Sequence, residues 1–400
     1  MIKWLVNLGL VVTPYLVWRG FDTRTPKEAA AIFIAVLISL SAIYTCSLKK
    51  INNRWMYIFI GWLFISMFLA PRFDNFRLVY FNNLKDFRLL DRSIANFWNY
   101  KAILYAIIYF LTIHAISGIS LTRRLVKIVS WCGLLMGVYV ILQNFGLDQF
   151  FSINKNDPNY GGVTKALLAG TLGQPTIVSP YIGLTIPFML YDRKWLWGMV
   201  GFIAICLTRS QIAVGATVLG LLIYLVFFNF RKWKLVLVST VLILGILGLF
   251  QYVKTHSGCD NGRKLAWTTI WKDMNTPPLI RGNRLTITGF SPGSFEWTHS
   301  IRFQNLWRKA HNEYLQVWYD LGFIGLGIVL LMLFEFYRQV LNYWKRRRDK
   351  RVVLLISSFT VIVICNFFTF LWHLGTFQFY TVVLVGLTYN ILQEDNYEFR

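Results

Sequence analysis

The feature that most constrains this chain is a recurring alternation: apolar runs of roughly 15 to 24 residues, each closed by a short basic cluster, from one end to the other. A helix rising about 1.5 Å per residue needs about 20 residues to cross roughly 30 Å of hydrocarbon, where no water satisfies a stray backbone group. The pattern therefore predicts an all-α, polytopic membrane protein. Composition agrees, because 56% of the 400 residues are hydrophobic and only 15% are charged, and no soluble domain stands apart from the apolar runs.

Twelve transmembrane helices are expected, near residues 2–18, 29–48, 55–70, 101–118, 125–147, 176–190, 195–208, 210–228, 233–253, 314–337, 352–371 and 376–392. The first run, MIKWLVNLGLVVTPYLVW, lacks a small-x-small cleavage site before Arg19 and reads as a retained helix. With twelve spans, the clusters KKINNR (49–54), Arg123-Arg124, Arg193-Lys194, RKWK (231–234) and KRRRDKR (345–351) all fall on one face. Short basic loops stay cytoplasmic, so both termini are expected inside and the segments 71–100, 148–175 and 254–313 outside. The chain thus divides into residues 1–253 with nine spans, an outward segment 254–313, and residues 314–400 with three more spans.

Within the first part, residues 72–100 place Phe73, Phe76, Tyr80, Leu84 and Phe87 at spacings of three and four, with arginines and lysines between them. This predicts an amphipathic interfacial helix, either touching lipid or substrate or packed on neighbouring loops. The outward segment 254–313 carries nine Lys/Arg against four Asp/Glu, an excess that attracts either anionic headgroups or a bound polyanion.

The net charge of +23 raises the possibility of nucleic acid, but the cations are scattered between spans and form no basic and aromatic face. Membrane lipids and an anionic substrate are the expected partners, with no nucleic acid. Four of the five cysteines sit in apolar runs, leaving no disulfide framework or zinc spacing. There is no Asp-x-Asp pair, no His-Glu-x-x-His and no glycine-rich phosphate loop, so no metal or other cofactor is expected.

Chemistry concentrates in HNEYLQVWYDLGFIG, residues 311–325, which open an apolar run with polar residues and carry two glycines three apart. Asn312 is expected to cap the helix, its oxygen taking a free backbone N–H, which leaves the positive end of the helix dipole at the outer surface. His311 just precedes that end, where protonation is disfavoured, so a neutral imidazole able to accept a proton is expected. Gly322 and Gly325 are expected to clear one helix face for a neighbouring helix, which would hold His311 in place. Asp320 lies about half a revolution from His311 and is expected to pack on a neighbouring helix.

His311, Asn312, Gly322 and Gly325 fit His-[Asn/Ser/Gln]-x9-Gly-x-x-Gly, a pattern that chance supplies roughly 0.004 times in a chain of this composition. On these residues the chain resembles the O-antigen ligase and O-antigen polymerase superfamily of bacterial inner membranes. Gly262-Arg263 followed by Trp267 and Gly293-Ser294-Phe295 is similar to the stretch that family places ahead of its histidine. GTLGQPTIVSP (170–180) and LTRSQ (207–211) resemble two further family elements, with Gln174 where Asn is usual and Thr208 where Ser is usual.

The resemblance implies transfer of a glycan from undecaprenyl diphosphate at the periplasmic face of the inner membrane, with inversion and without a metal. It implies that His311 orients or deprotonates the acceptor hydroxyl while Arg209 and Arg263 grip the diphosphate, where guanidinium contacts strengthen as charge develops on the leaving group. Arg281, Arg284, Arg302 and Arg308 are weaker candidates for the same task, and Trp267 is a candidate for sugar stacking or an interface belt. The acceptor is lipid A-core in a ligase and a carrier-linked repeat unit in a polymerase, and the His-Asn form of the motif favours the ligase. A transporter of a lipid-linked or anionic substrate is the alternative from another class, although no internal repeat is visible.

Overall fold

The computed structural model describes residues 1–16, 25–49, 51–69, 92–147, 168, 170–172, 174–228, 267–268, 270–271, 274, 287–295 and 310–398. Among them run α1 (Ile2–Tyr15), α2 (Thr25–Tyr44), α3 (Arg54–Leu69), α4 (Arg92–Ile116), α5 (Arg123–Asn144) and α6 (Pro175–Tyr191). They are followed by α7 (Trp195–Leu207), α8 (Gln211–Phe228), α9 (Glu313–Arg347), α10 (Lys350–Cys365) and α11 (Gly375–Glu398). No strand occurs among the described residues. Each helix overlies one of the expected spans, and the expected span 233–253 lies outside the described residues.

Length and hydropathy mark five candidate crossings among the described residues: Pro26–Tyr44, Asn99–Ile116, Arg123–Asn144, Glu313–Arg347 and Gly375–Glu394. Three more apolar helices, Arg54–Leu69, Trp195–Leu207 and Gln211–Phe227, are shorter. Phe33, Leu104, Trp131, Leu330 and Phe334 stand exposed, an outer surface suited to acyl chains and not to water. The start of α4 differs from expectation. It begins at Arg92, so the last part of the expected interfacial helix is continuous with the fourth span, because no Gly or Pro interrupts Arg92–Ile116. Residues 72–91 of that segment lie outside the described residues.

The helices form two assemblies. In one, α6 is buried at every residue from Ile177 to Met189, as a helix apolar all round should be, and α5, α7, α8 and α10 surround it. Small residues let these backbones close up: Gly137 meets Gly201 across α5 and α7, and Gly183 of α6 meets Thr217 and Val361. Gly220 faces Val361 and Ser357, and Phe227 at the end of α8 packs on Trp344 just before α10, so α8 and α10 run antiparallel.

In the other assembly α11 is central, packed on α1, α2, α4 and α10. A buried chain of hydroxyls joins the halves, from Tyr181 to Tyr380 at 2.9 Å and from Tyr380 to the Leu10 carbonyl at 2.9 Å. The helix α9 packs mainly on α3 and meets α10 and α11 at only a few points. That loose contact leaves a cavity of about 1040 Å³ bounded by α2, α3, α4, α9 and α11.

The basic clusters gather at one end of the bundle. Arg123, Asp349 and Arg351 act on Tyr191, Arg351 bridges Asp349 and Glu394 at 2.8 and 2.7 Å, and Gln339 donates to the Asn52 carbonyl. The cluster at 231–234 lies outside the described residues. Gly375 touches Glu28, Lys27 reaches Thr171 just before α6, Thr208 before α8 bonds Ser179 near the start of α6, and Glu313 reaches Asn366. The starts of α2, α6, α8, α9 and α11 therefore gather with His311 at the opposite end.

Candidate functional site

The start of α9 is built from its own sequence. Asn312 Oδ1 accepts the Leu315 N–H at 3.0 Å, the cap expected of it, and the Glu313 N–H goes across to the Asn366 carbonyl at 2.9 Å. His311 precedes this cap with φ of 53°, in the left-handed region that costs a residue with a Cβ about 1 kcal/mol or more. Its half-buried ring packs edge-on against Phe370 with centroids 4.8 Å apart. Asn366 Oδ1 takes the Leu371 N–H at 3.1 Å, which ties the turn between α10 and α11 to the beginning of α9.

The glycines do something other than what the sequence suggested. Gly322 does not clear a face for a helix; it breaks α9, with φ of 68° and ψ of −173°. The carbonyls freed at that break are taken up one by one. Phe290 N–H donates to the Tyr319 carbonyl at 3.0 Å, Ser291 N–H to the Asp320 carbonyl at 2.9 Å, and the Trp62 indole to the Leu321 carbonyl at 3.1 Å. A Cβ on Gly322 would stand 2.1 Å from the Ile287 oxygen, and one on Gly289 would stand 2.4 Å from the Asp320 oxygen. Two glycine backbones are therefore in mutual contact, and neither position admits a side chain. Gly325 alone meets a helix, through Trp62 of α3.

Asp320 likewise differs from its expected packing on a neighbouring helix. Buried on α9, it accepts from Ser294 Oγ at 2.8 Å and from the Phe295 N–H at 2.8 Å. The carboxylate thus caps the turn at Gly293-Ser294-Phe295 and clamps the 287–295 segment to the helix break. The two stretches whose sequences looked related to one family are physically one unit.

Residues that the sequence reading passed over complete the site. Glu313, 1% exposed, faces His373 from the turn before α11, with Oε2 at 2.8 Å and Oε1 at 3.0 Å from Nδ1. The other ring nitrogen, Nε2, is 2.9 Å from Gln316 Nε2. Gln316 Oε1 accepts the Ala310 N–H at 3.2 Å, which fixes the orientation of its amide and makes its nitrogen a donor toward His373. His373 Nε2 is then an acceptor, and the ring proton is on Nδ1, pointing at Glu313. Glu313 and Gln316 lie inside the motif already singled out, but His373 has no local signal and joins them only through the fold.

His373, Gln316 and Asp320 line one end of the cavity together with Lys27, Glu28 and Lys101. Lys27 Nζ donates to the Thr171 carbonyl, and Glu28 pairs with Lys101 at 2.9 Å. The remaining wall is largely apolar, with Met56, Phe59, Ile60, Leu63 and Leu333 along α3 and α9.

Trp267 donates its indole N–H to the Ala310 carbonyl at 2.9 Å, one residue before His311, so it braces the site rather than standing in a belt. Arg209 is exposed at the corner between α7 and α8, with φ of 59°, the strained backbone that His311 also adopts. The antiparallel packing of α8 on α10 puts this corner at the same end as His311, although among the described residues no contact joins the two side chains. Arg263, Arg281, Arg284, Arg302 and Arg308 lie outside the described residues.

Residues 196–330 match a family model described as O-antigen ligase, a stretch that takes in α7, α8 and α9 as far as the glycine pair. No curated protein matches the chain.

Proposed function

We propose that this chain, whose residues 196–330 match a family model described as O-antigen ligase, moves a glycan from undecaprenyl diphosphate to a sugar of lipid A-core by metal-independent, inverting transfer. Members of that superfamily are glycosyltransferase-like enzymes acting on lipid-linked glycans. The observation that carries the reading is the cavity, a largely apolar chamber of about 1040 Å³ whose polar end is lined by Gln316, Asp320 and His373. An isoprenoid fits such walls by burial of its hydrocarbon, while its charged head belongs at the polar end.

In this reading the protein sits in the bacterial inner membrane with both termini cytoplasmic and the site facing the periplasm. The gathering of basic clusters at the end away from His311 supports that orientation. Arg209 and Arg263 bind the diphosphate, His311 orients the acceptor hydroxyl or takes its proton, and Asn312, Asp320, Gly322, Gly325 and Trp267 hold His311 in place. The ligase is preferred over the polymerase on the His311-Asn312 form of the motif.

Purified protein in vesicles, given donor with lipid A-core, is expected to make the ligated product. Extension of carrier-linked glycan without lipid A-core would establish a polymerase instead. The substitution His311→Ala should lower transfer by about 10²- to 10⁴-fold while donor binding and thermal unfolding stay near wild type. Wild-type transfer by that variant would remove His311 from the mechanism.

A further inference from the structure

The turn between α10 and α11 lies beyond the stretch that matches the family, yet it supplies the imidazole that faces the cavity. His311 is not among the residues lining that space, and its ring is packed on Phe370. His373 does line it, with 27% of its side chain exposed. We propose that His373 takes the proton of the acceptor hydroxyl, that Glu313 is the positioning residue for its ring, and that Gln316 is the placeholder the hydroxyl displaces. This rests on the glycan-transfer reading and narrows it, leaving His311 to orient the acceptor.

Three observations converge on His373. The hydrogen bonds set its tautomer, since Glu313 receives Nδ1–H and the Gln316 amide donates to Nε2, so the lone pair of Nε2 is the one a hydroxyl would meet. The carboxylate of Glu313 is buried and anchored, because its own backbone N–H is held by Asn366 and its helix start by the Asn312 cap. A base oriented by a carboxylate through its second nitrogen is the arrangement that stabilises the imidazolium as it forms. Finally, His373 itself lines the polar end of the cavity, with 27% of its side chain exposed to an arriving hydroxyl.

The step balances as follows. The acceptor oxygen bonds to the anomeric carbon as the bond from that carbon to the diphosphate oxygen breaks, and the bonding pair leaves with the polyprenyl diphosphate. The hydroxyl proton passes to His373 Nε2, giving an imidazolium beside the Glu313 carboxylate. Water takes that proton after the product departs.

Lys27, Glu28, Lys101, Asp320, Tyr105 and Tyr109 share this end of the cavity, so the test changes His373 or Glu313 alone. Full-length protein in vesicles, with undecaprenyl-diphosphate-linked glycan and lipid A-core, is assayed for kcat and KM across the neutral pH range. The substitution His373→Gln, which keeps a donor toward Glu313, is expected to lower kcat by about 10²- to 10⁴-fold with donor KM unchanged, and imidazole should partly restore His373→Ala. Glu313→Gln is expected to lower kcat by about 10²-fold or more with donor KM unchanged, because the carboxylate that holds the Nδ1 proton and balances the forming imidazolium is gone.

A kcat for His373→Gln within about threefold of wild type, with the same pH profile, overturns the assignment. If that variant fails to fold, Glu313→Gln decides, and a kcat within about threefold of wild type overturns it equally. Wild-type protein that transfers no glycan at all sinks the transfer reading and this assignment with it; active wild type beside an equally active His373→Gln sinks only the latter.

Discussion

The assembly of α5, α6, α7, α8 and α10 and the one of α2, α3, α4, α9 and α11 are made from the same material, apolar helices with glycines inside them. They differ in what one glycine does. In the first, Gly183, Gly201 and Gly220 sit within regular helix and allow backbones to touch, which closes the space around α6. In the second, Gly322 interrupts α9, a polar loop fills the interruption, and a cavity remains beside it. A membrane protein holds itself together by close packing of small residues, since lipid offers helices no hydrophobic drive to associate. It makes room for chemistry by breaking a helix where the freed backbone groups find other partners.

Substitutions that distinguish the two uses sharpen this comparison. The largest effect is expected at Gly322, where Gly322→Ala forces a Cβ into the Ile287 carbonyl at a backbone angle that disfavours one. It should lower stability by about 3 kcal/mol or more and abolish transfer, measured by thermal unfolding in detergent and by glycan transfer. Next comes Gly220→Ala, whose Cβ would lie 2.7 Å from Val361 and 2.9 Å from the Ser357 oxygen. Overpacking there should destabilise by about 1–3 kcal/mol, but the folded fraction should keep its kcat. A large fall in kcat at Gly220 would erase the division between a packing half and a chemical half.

A smaller effect is assigned to the cap. Asn312→Ala removes the acceptor of the Leu315 N–H and should cost about 1 kcal/mol, with transfer falling because the helix start that carries Glu313 loosens. Gly327 provides the control within α9, since a Cβ there meets nothing within 4 Å. Gly327→Ala should leave unfolding within about 0.5 kcal/mol of wild type, and a larger change would mean that glycine in this helix matters for a reason other than space.

The helices were legible because each carries its instruction locally, as an apolar run with basic residues at its edge. Asn312 was legible as a cap for the same reason, its bond reaching only to Leu315. The role of Gly322 was not, since an apolar helix tolerates glycine in several ways and only the approach of Ile287 and Gly289 turns this one into a break. Asp320 was misplaced because a helical projection gives the direction a side chain takes and not what stands there, which is the 287–295 segment. The start of α4 was misjudged because the spacing of aromatic residues does not mark where a surface helix ends and a spanning one begins.

Length, hydropathy and spacing were sufficient to determine an all-helical membrane protein and to single out the stretch from His311 to Gly325, because these signals act over a few turns of one segment. The pairing of Glu313 with His373, the union of Ser294 and Phe295 with Asp320, and the cavity beside α9 were decided by the tertiary structure alone. They join residues far apart in the chain, and a hydrogen bond of about 3 Å between such residues depends on how several helices pack, which no local pattern encodes.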